Sequence, residues 1–130
     1  MIGKPGSRSL AGRNVLVVED EFLIADDLAA VLRGAGAEVI GPAASLPSAI
    51  RLAGDSQRID AAVLDIHLDG VTVFPLADEL RTRNVPMLFL TGYGDDYIPD
   101  NYSAVLRCDK PIGAAHVVER LKSLVSLVAA

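Results

Sequence analysis

Five side chains could share one piece of chemistry: Glu19, Asp20, Asp65, Thr91 and Lys110. Each stands where a short apolar run stops. Asp65 closes Ala61-Ala62-Val63-Leu64, Glu19 and Asp20 follow Val15-Leu16-Val17-Val18, Thr91 follows Met87-Leu88-Phe89-Leu90, and Lys110 comes soon after Ala104-Val105-Leu106. Crowded carboxylates repel one another, and such a cluster persists when a cation occupies it. A few hard oxygen ligands, leaving room for water and phosphate, suit Mg²⁺ better than a softer metal. A hydroxyl and an ammonium beside them are what a phosphoryl oxygen needs. The expected chemistry is phosphoryl transfer onto the carboxylate of Asp65, acting as the nucleophile. Lys110 and Thr91 would neutralise or bond the phosphoryl oxygens, with metal holding another. The plainer reading makes Asp65 a turn or helix cap, a common role for Asp. Taken alone that reading is the better one; the other strand ends weigh against it.

The elements that must position these groups alternate. Apolar runs bounded by turn residues read as buried parallel strands, over Asn14–Val18, Glu38–Ile40 (closed by Gly41-Pro42), Ala61–Leu64, Pro86–Leu90 and Ala104–Arg107. Between them lie helical patterns. From Phe22, the residues Ile24, Leu28, Val31, Leu32 and Ala35 share a face opposite Asp26 and Asp27, and Gly34 and Gly36 end the helix. Ser45 caps a second helix with Pro47 in its first turn, Pro75 begins a third that ends at Asn84, and Val117, Leu121, Leu124, Val125 and Val128 line the last. Tyr93 to Ser103, with Gly94, Pro99 and three Asp, shows little helical period. Alternating strands and helices imply parallel strands with right-handed crossovers: an α/β, doubly wound five-stranded sheet with a short or irregular fourth helix. In such a sheet the first and third strands flank the switch point where ligands bind, which brings Glu19, Asp20 and Asp65 together.

A chain of 130 residues suits one domain, and residues 1–12 read as a flexible N-terminal tail before a domain over 13–128. With 51% hydrophobic residues but only 5% aromatic, the core must be aliphatic. The net charge of −5 argues against a nucleic-acid surface, no apolar run could cross a bilayer, and no signal peptide is evident. The lone cysteine, Cys108, fits a reducing compartment and a packed position, so the cytoplasm is the expected location.

The four strand-end motifs, Val-Leu-Val-Val-Glu19-Asp20-Glu21, Ala-Val-Leu-Asp65-Ile-His-Leu-Asp-Gly70, Leu-Phe-Leu-Thr91-Gly92 and Asp109-Lys110-Pro111, stand in the order of a response regulator receiver domain. The resemblance runs from Arg13 to about Val128 and implies a flavodoxin-like (βα)5 fold. It implies that Glu19 and Asp20 are the acidic metal-binding pair, that Asp65 is the phosphoacceptor and metal ligand, and that the His67 carbonyl is a backbone metal ligand. Thr91 becomes the switch hydroxyl, Lys110 the phosphate-contacting lysine, and the Lys110–Pro111 peptide is expected to be cis. The implied role is a two-component phosphoacceptor using Mg²⁺, not an enzyme beyond its own phosphorylation and dephosphorylation. The implied partners are a histidine kinase or phosphotransfer protein, then a downstream protein or a second copy of the chain, with no nucleic acid or membrane. The run Phe89-Leu90-Thr91-Gly92-Tyr93 is similar to the Phe-Ala-Thr-Gly-Tyr signature of stand-alone receivers in alphaproteobacteria.

The chain departs from the family pattern in several places. Glu19 replaces the usual Asp, Leu90 replaces the Ala of the subgroup signature, and the stretch from Thr91 to Arg107 is short. Arg107 takes the switch position that often holds Tyr or Phe, so it is expected to lie outward, paired with the acidic rim of Asp95, Asp96 and Asp100. The tyrosines Tyr93, Tyr97 and Tyr102 could equally contact partners or pack a loop. Two other functions stay open on the residues. One is a small Mg²⁺-dependent aspartyl-phosphate hydrolase or nucleotide-binding domain, disfavoured because no Gly-rich phosphate loop follows the first strand. The other is a pseudo-receiver that binds partners without phosphorylation, disfavoured by the intact five-residue set.

Overall fold

The computed structural model describes residues 9–92, 98–110 and 113–129. In chain order these form β1 (Asn14–Val18), α1 (Phe22–Gly34), β2 (Glu38–Ala43), α2 (Leu46–Asp55), β3 (Ala61–Asp65), β4 (His67–Leu68), β5 (Val71–Thr72), α3 (Phe74–Thr82), β6 (Met87–Thr91), a 3₁₀ turn (Asp100–Tyr102), β7 (Leu106–Asp109) and α4 (Ala114–Ala129). Five of the strands make one parallel sheet in the order β2-β1-β3-β6-β7.

Both sheet faces are covered, which explains why the strands are apolar throughout rather than alternating. Leu16, Val18, Ala62, Leu64, Met87 and Phe89 point to one face, under α2 and α3. Val15, Val17, Ala61, Val63, Leu88 and Leu90 point to the other, under α1 and α4, with Cys108 in the same aliphatic layer. Side chains at α1 positions Ala25, Leu28, Ala29 and Leu32 are buried, while Ile24 and Val31 lie at the margin. The Ser45 hydroxyl caps α2, accepting from the Ser48 amide at 3.3 Å. Among the described residues the stretch between β6 and β7 holds only the 3₁₀ turn, as expected from its weak helical period.

β3 and β6 each end one residue later than expected, at Asp65 and Thr91, and four larger features differ from expectation. The strand expected at Glu38–Ile40 continues through Gly41 and Pro42 to Ala43. Proline is tolerated there because β2 is an edge strand, and the ladder shifts register between Leu16 and Val18. Gly41 is required: at φ +97° its backbone is left-handed, and a Cβ would stand 2.7 Å from the Ala43 nitrogen. The Gly41–Pro42 peptide is cis. The expected cis bond at Lys110–Pro111 involves a residue outside the described ones.

The fifth strand, expected over Ala104–Arg107, is Leu106–Asp109. Ala104 is exposed and the Val105 amide bonds the Tyr102 carbonyl, so the apolar start of that run belongs to the turn. The small β4–β5 hairpin was not anticipated, although its two-residue Asp69-Gly70 turn, with φ of 49° and 88°, is a strong hairpin signal. The tail expected over residues 1–12 joins the fold at its end. Leu10 is fully buried and its amide bonds the Ala35 carbonyl, while residues 1–8 lie outside the described ones.

Candidate acidic site at the strand ends

β1, β3, β6 and β7 all deliver a polar group to the same edge of the sheet. Asp65 is the last residue of β3 and is buried. Its Oδ1 accepts the His67 amide at 3.3 Å, and its Oδ2 accepts from Lys110 Nζ at 2.9 Å. Glu19 is the first residue beyond β1 and is only 1% exposed. Its amide is anchored on the Ala43 carbonyl, at the end of the lengthened β2. Its Oε2 accepts the Glu21 amide at 3.0 Å, and its Oε1 lies 2.7 Å from Lys110 Nζ. The Glu21 carboxylate reaches the same ammonium at 3.6 Å. Asp20, nearer solvent, accepts the Asp69 amide at 3.1 Å and so ties β1 to the hairpin turn beyond β3. Oxygens of Glu19, Asp20 and Asp65 all lie within 4.8 Å of one another.

Burial dominates the electrostatics. It pushes Glu19 up to about 7, against the opposing pull of Lys110 and the Glu21 amide. It raises Asp65 as well, again with Lys110 opposing. For Lys110 burial acts downward, but the hydrogen bonds and charges of Glu19 and Asp65 outweigh it and hold the ammonium above the ordinary lysine range. One ammonium thus serves two buried carboxylates and leaves the three-acid cluster with excess negative charge. That donor set, all hard carboxylate oxygens in reach of one another, fits a small divalent cation such as Mg²⁺.

The expected set is therefore brought together on one side and not on the other. Lys110 meets Asp65, but the Thr91 hydroxyl does not: buried at the end of β6, it donates to Asp109 Oδ1 at 2.6 Å. Arg107 lies exposed on β7 opposite Phe89, consistent with an outward arginine. Its expected partners Asp95 and Asp96 are outside the described residues, as are Tyr93 and Tyr97. Tyr102 is a packing residue. It is 2% exposed, stacked on Phe74 at 5.5 Å and edge-on to Phe89 at 5.8 Å, with Arg81 over its ring and its hydroxyl donating to Asp78. Burial and that Asp78 bond push the Tyr102 phenol up to about 12. The His67 side chain is exposed while its backbone amide holds Asp65.

Sequence reasoning missed two contributors, Asp109 and Glu21. Both sat inside motifs that carried the resemblance. Their partners, however, are set by strand register and by the reach of Lys110, which no local pattern states.

A parallel five-stranded sheet in this order, with an acidic cluster and a lysine at its carboxyl edge, defines a receiver domain, and the chain belongs to the response regulator receiver family. The family model, described as the response regulator receiver domain, matches residues 15–122. The chain is similar to the phyllosphere-induced regulator PhyR of Methylorubrum extorquens, 38% identical over 86 residues, covering 65% of this chain and 32% of PhyR. It is also similar to the transcriptional regulatory protein PdtaR of Mycobacterium tuberculosis, 33% identical over 82 residues, covering 62% of this chain and 40% of PdtaR. The chain thus spans well under two thirds of these curated relatives. Among solved structures, SdrG of Sphingomonas melonis Fr1 is 31% identical with a TM-score of 0.76, covering 90% of this chain and 98% of SdrG. The receiver domain of the hybrid histidine kinase CckA is 26% identical with a TM-score of 0.71, covering 86% of this chain and 98% of that domain. PhyR and SdrG agree with the alphaproteobacterial subgroup to which the Phe89-to-Tyr93 run is similar.

Proposed function

We propose that this receiver accepts a phosphoryl group on Asp65 from a histidine kinase or phosphotransfer protein and presents a changed surface to a downstream protein. The observation that carries the reading is the shared ammonium. Lys110 Nζ lies within 3 Å of both Asp65 and Glu19 in a buried acidic pocket, so its charge is held where a phosphoryl group on Asp65 would need it. In the transfer, an Asp65 carboxylate oxygen forms the new bond to phosphorus as the donor's bond to that phosphorus breaks. The donor keeps the electron pair. The His67 amide holds the other carboxylate oxygen and so orients the nucleophile. Lys110 then donates to the incoming phosphoryl oxygens, and burial of the site limits attack by bulk water.

Glu19, Asp20, Asp65 and the His67 carbonyl are the groups that would hold Mg²⁺, which would supply positive charge against the negative charge of the transferred group. Thr91 and Arg107 are the switch positions of this reading. Residues 13–128, with the buried Leu10 packed against them, are its receiver unit, which catalyses only its own phosphorylation and dephosphorylation. The acidic surface supports a protein partner, a second copy of the chain included, over nucleic acid. Among the described residues no helix is long and apolar enough to cross a membrane, and the buried free Cys108 suits a cytoplasmic setting. Incubation with acetyl phosphate and Mg²⁺ followed by intact-mass measurement tests the proposal. One phosphoryl adduct, lost when EDTA is added first, is expected; no adduct, or continuous phosphate release without one, contradicts it.

A further inference from the structure

Thr91 is the strand-end group that the chemistry at Asp65 leaves unexplained. Its buried hydroxyl donates to Asp109 Oδ1 at 2.6 Å. The sheet itself sets up this pairing. Thr91 and Asp109 are register partners at the ends of β6 and β7, and the Lys110 amide bonds the Thr91 carbonyl at 2.7 Å. Because β6 lies between β3 and β7, Thr91 stands between a strand ending in Asp65 and a strand ending in Asp109. A hydroxyl carries one hydrogen. It can donate to Asp109 or to an oxygen on the Asp65 side, not to both. A bond to an ionised acceptor is also roughly twice as strong as a neutral one, so the hydrogen is not released without cost.

We infer that Asp109 is a positioning residue: it keeps the Thr91 hydrogen committed to β7 and thereby sets how readily the site takes up a phosphoryl group. The inference rests on the assignment of Asp65 as phosphoacceptor. Uptake of a phosphoryl group draws the hydrogen across β6, and the exposed Asp109 carboxylate is left to water. The two acceptors thus compete for one donor, and Asp109 biases the chain toward its unphosphorylated arrangement. Lys110 follows Asp109 directly, so the residue that holds the switch hydroxyl and the residue that meets Asp65 move as neighbours on one strand end.

Beryllofluoride with Mg²⁺, titrated by calorimetry, is the probe. Asp109→Ala should bind it about tenfold more tightly than the parent chain, the effect of removing one charge-assisted hydrogen bond from the free state. Asp109→Asn, which keeps an acceptor but loses the charge, should fall between them. In a Thr91→Ala background the Asp109→Ala change should have no effect on affinity. Unchanged or weaker binding by Asp109→Ala overturns the inference. So does equal tightening with and without the Thr91 hydroxyl, which would mean a through-space charge effect. Circular dichroism checks folding, and if Asp109→Ala does not fold, the same cycle is run with Asp109→Asn. A parent chain that takes up no beryllofluoride removes the Asp65 assignment itself, a result distinct from a parent that binds while Asp109→Ala does not gain.

Discussion

The two flanks of Asp65 are built on opposite principles. On the β1 side the groups are charged and mutually engaged: buried Glu19 and Asp65 form one ionic unit with Lys110, and Asp20, nearer solvent, reaches over to the hairpin turn. On the β6 side the strand-end group is a single neutral hydroxyl, turned to Asp109 at the edge of the sheet. The supports differ as well. Both strands share the aliphatic layer under α1 and α4, but on its other face β6 also carries Phe89, edge-on to Phe74 and Tyr102, beside a β6–β7 connection that holds no α-helix among the described residues. One flank fixes charge and the other can exchange a hydrogen bond. A site that must hold an anion transiently and report it uses both.

The most severe way to break this contrast is to remove the ammonium. Lys110→Ala leaves Glu19 and Asp65 buried without their counter-charge, and losing one partner of a buried pair costs about 3–5 kcal/mol. Urea denaturation without metal should show that loss near pH 8 and a smaller one near pH 5, where Glu19 carries a proton. An equal loss at both values would mean that Lys110 contributes packing and not charge.

On the other flank, Tyr102→Ala should cost about 3 kcal/mol by emptying the space between Phe74 and Phe89. Tyr102→Phe, which loses only the bond to Asp78, should cost about 1 kcal/mol. Thermal melts of the pair separate ring from hydroxyl. If the two variants melt alike, the ring is not the support.

A gentler probe of the charged flank is pH. Folded Glu19 keeps its proton to about 7, against an ordinary value of 4.5 in the unfolded chain. Between those values the folded state binds more protons, so metal-free stability should fall as pH rises from about 4.5 to 7. Glu19→Gln should flatten that slope. A slope left intact in Glu19→Gln would move its origin elsewhere. The smallest effect is expected from Asp20→Asn, which relieves like-charge repulsion while keeping an acceptor for the Asp69 amide. Its metal-free stability should stay within about 1 kcal/mol of the parent or rise slightly, as its Mg²⁺ affinity falls. A clearly less stable variant with unchanged Mg²⁺ affinity would count against a shared cation site.

Much of this was legible in the chain because strand ends carry their own punctuation. Apolar runs that stop at Glu19, Asp65 and Thr91 define both the strands and what they deliver, and period and turn residues place α1 and α2. Where reading failed, the deciding contact was distant in sequence. Pro42 looked like a stop but sits on an edge strand, a fact only the sheet order supplies. Ala104 and Val105 looked like strand, yet Tyr102, folded back onto α3, draws them into its turn. Thr91 is legible as a strand-end hydroxyl, but its partner depends on β6–β7 register and so is not. The Asp69-Gly70 turn is different: that signal was local and available.

Asp65 must be the acceptor among several carboxylates that are close enough to compete. Phosphorylating the chain with acetyl phosphate and Mg²⁺, reducing the acyl phosphate with borohydride and sequencing the peptides by mass spectrometry identifies the modified side chain directly. Homoserine is expected at position 65 and at no other carboxylate, with none formed in Asp65→Asn. Homoserine at position 20, or an unmodified Asp65 in a chain that still gains a phosphoryl group, would contradict it.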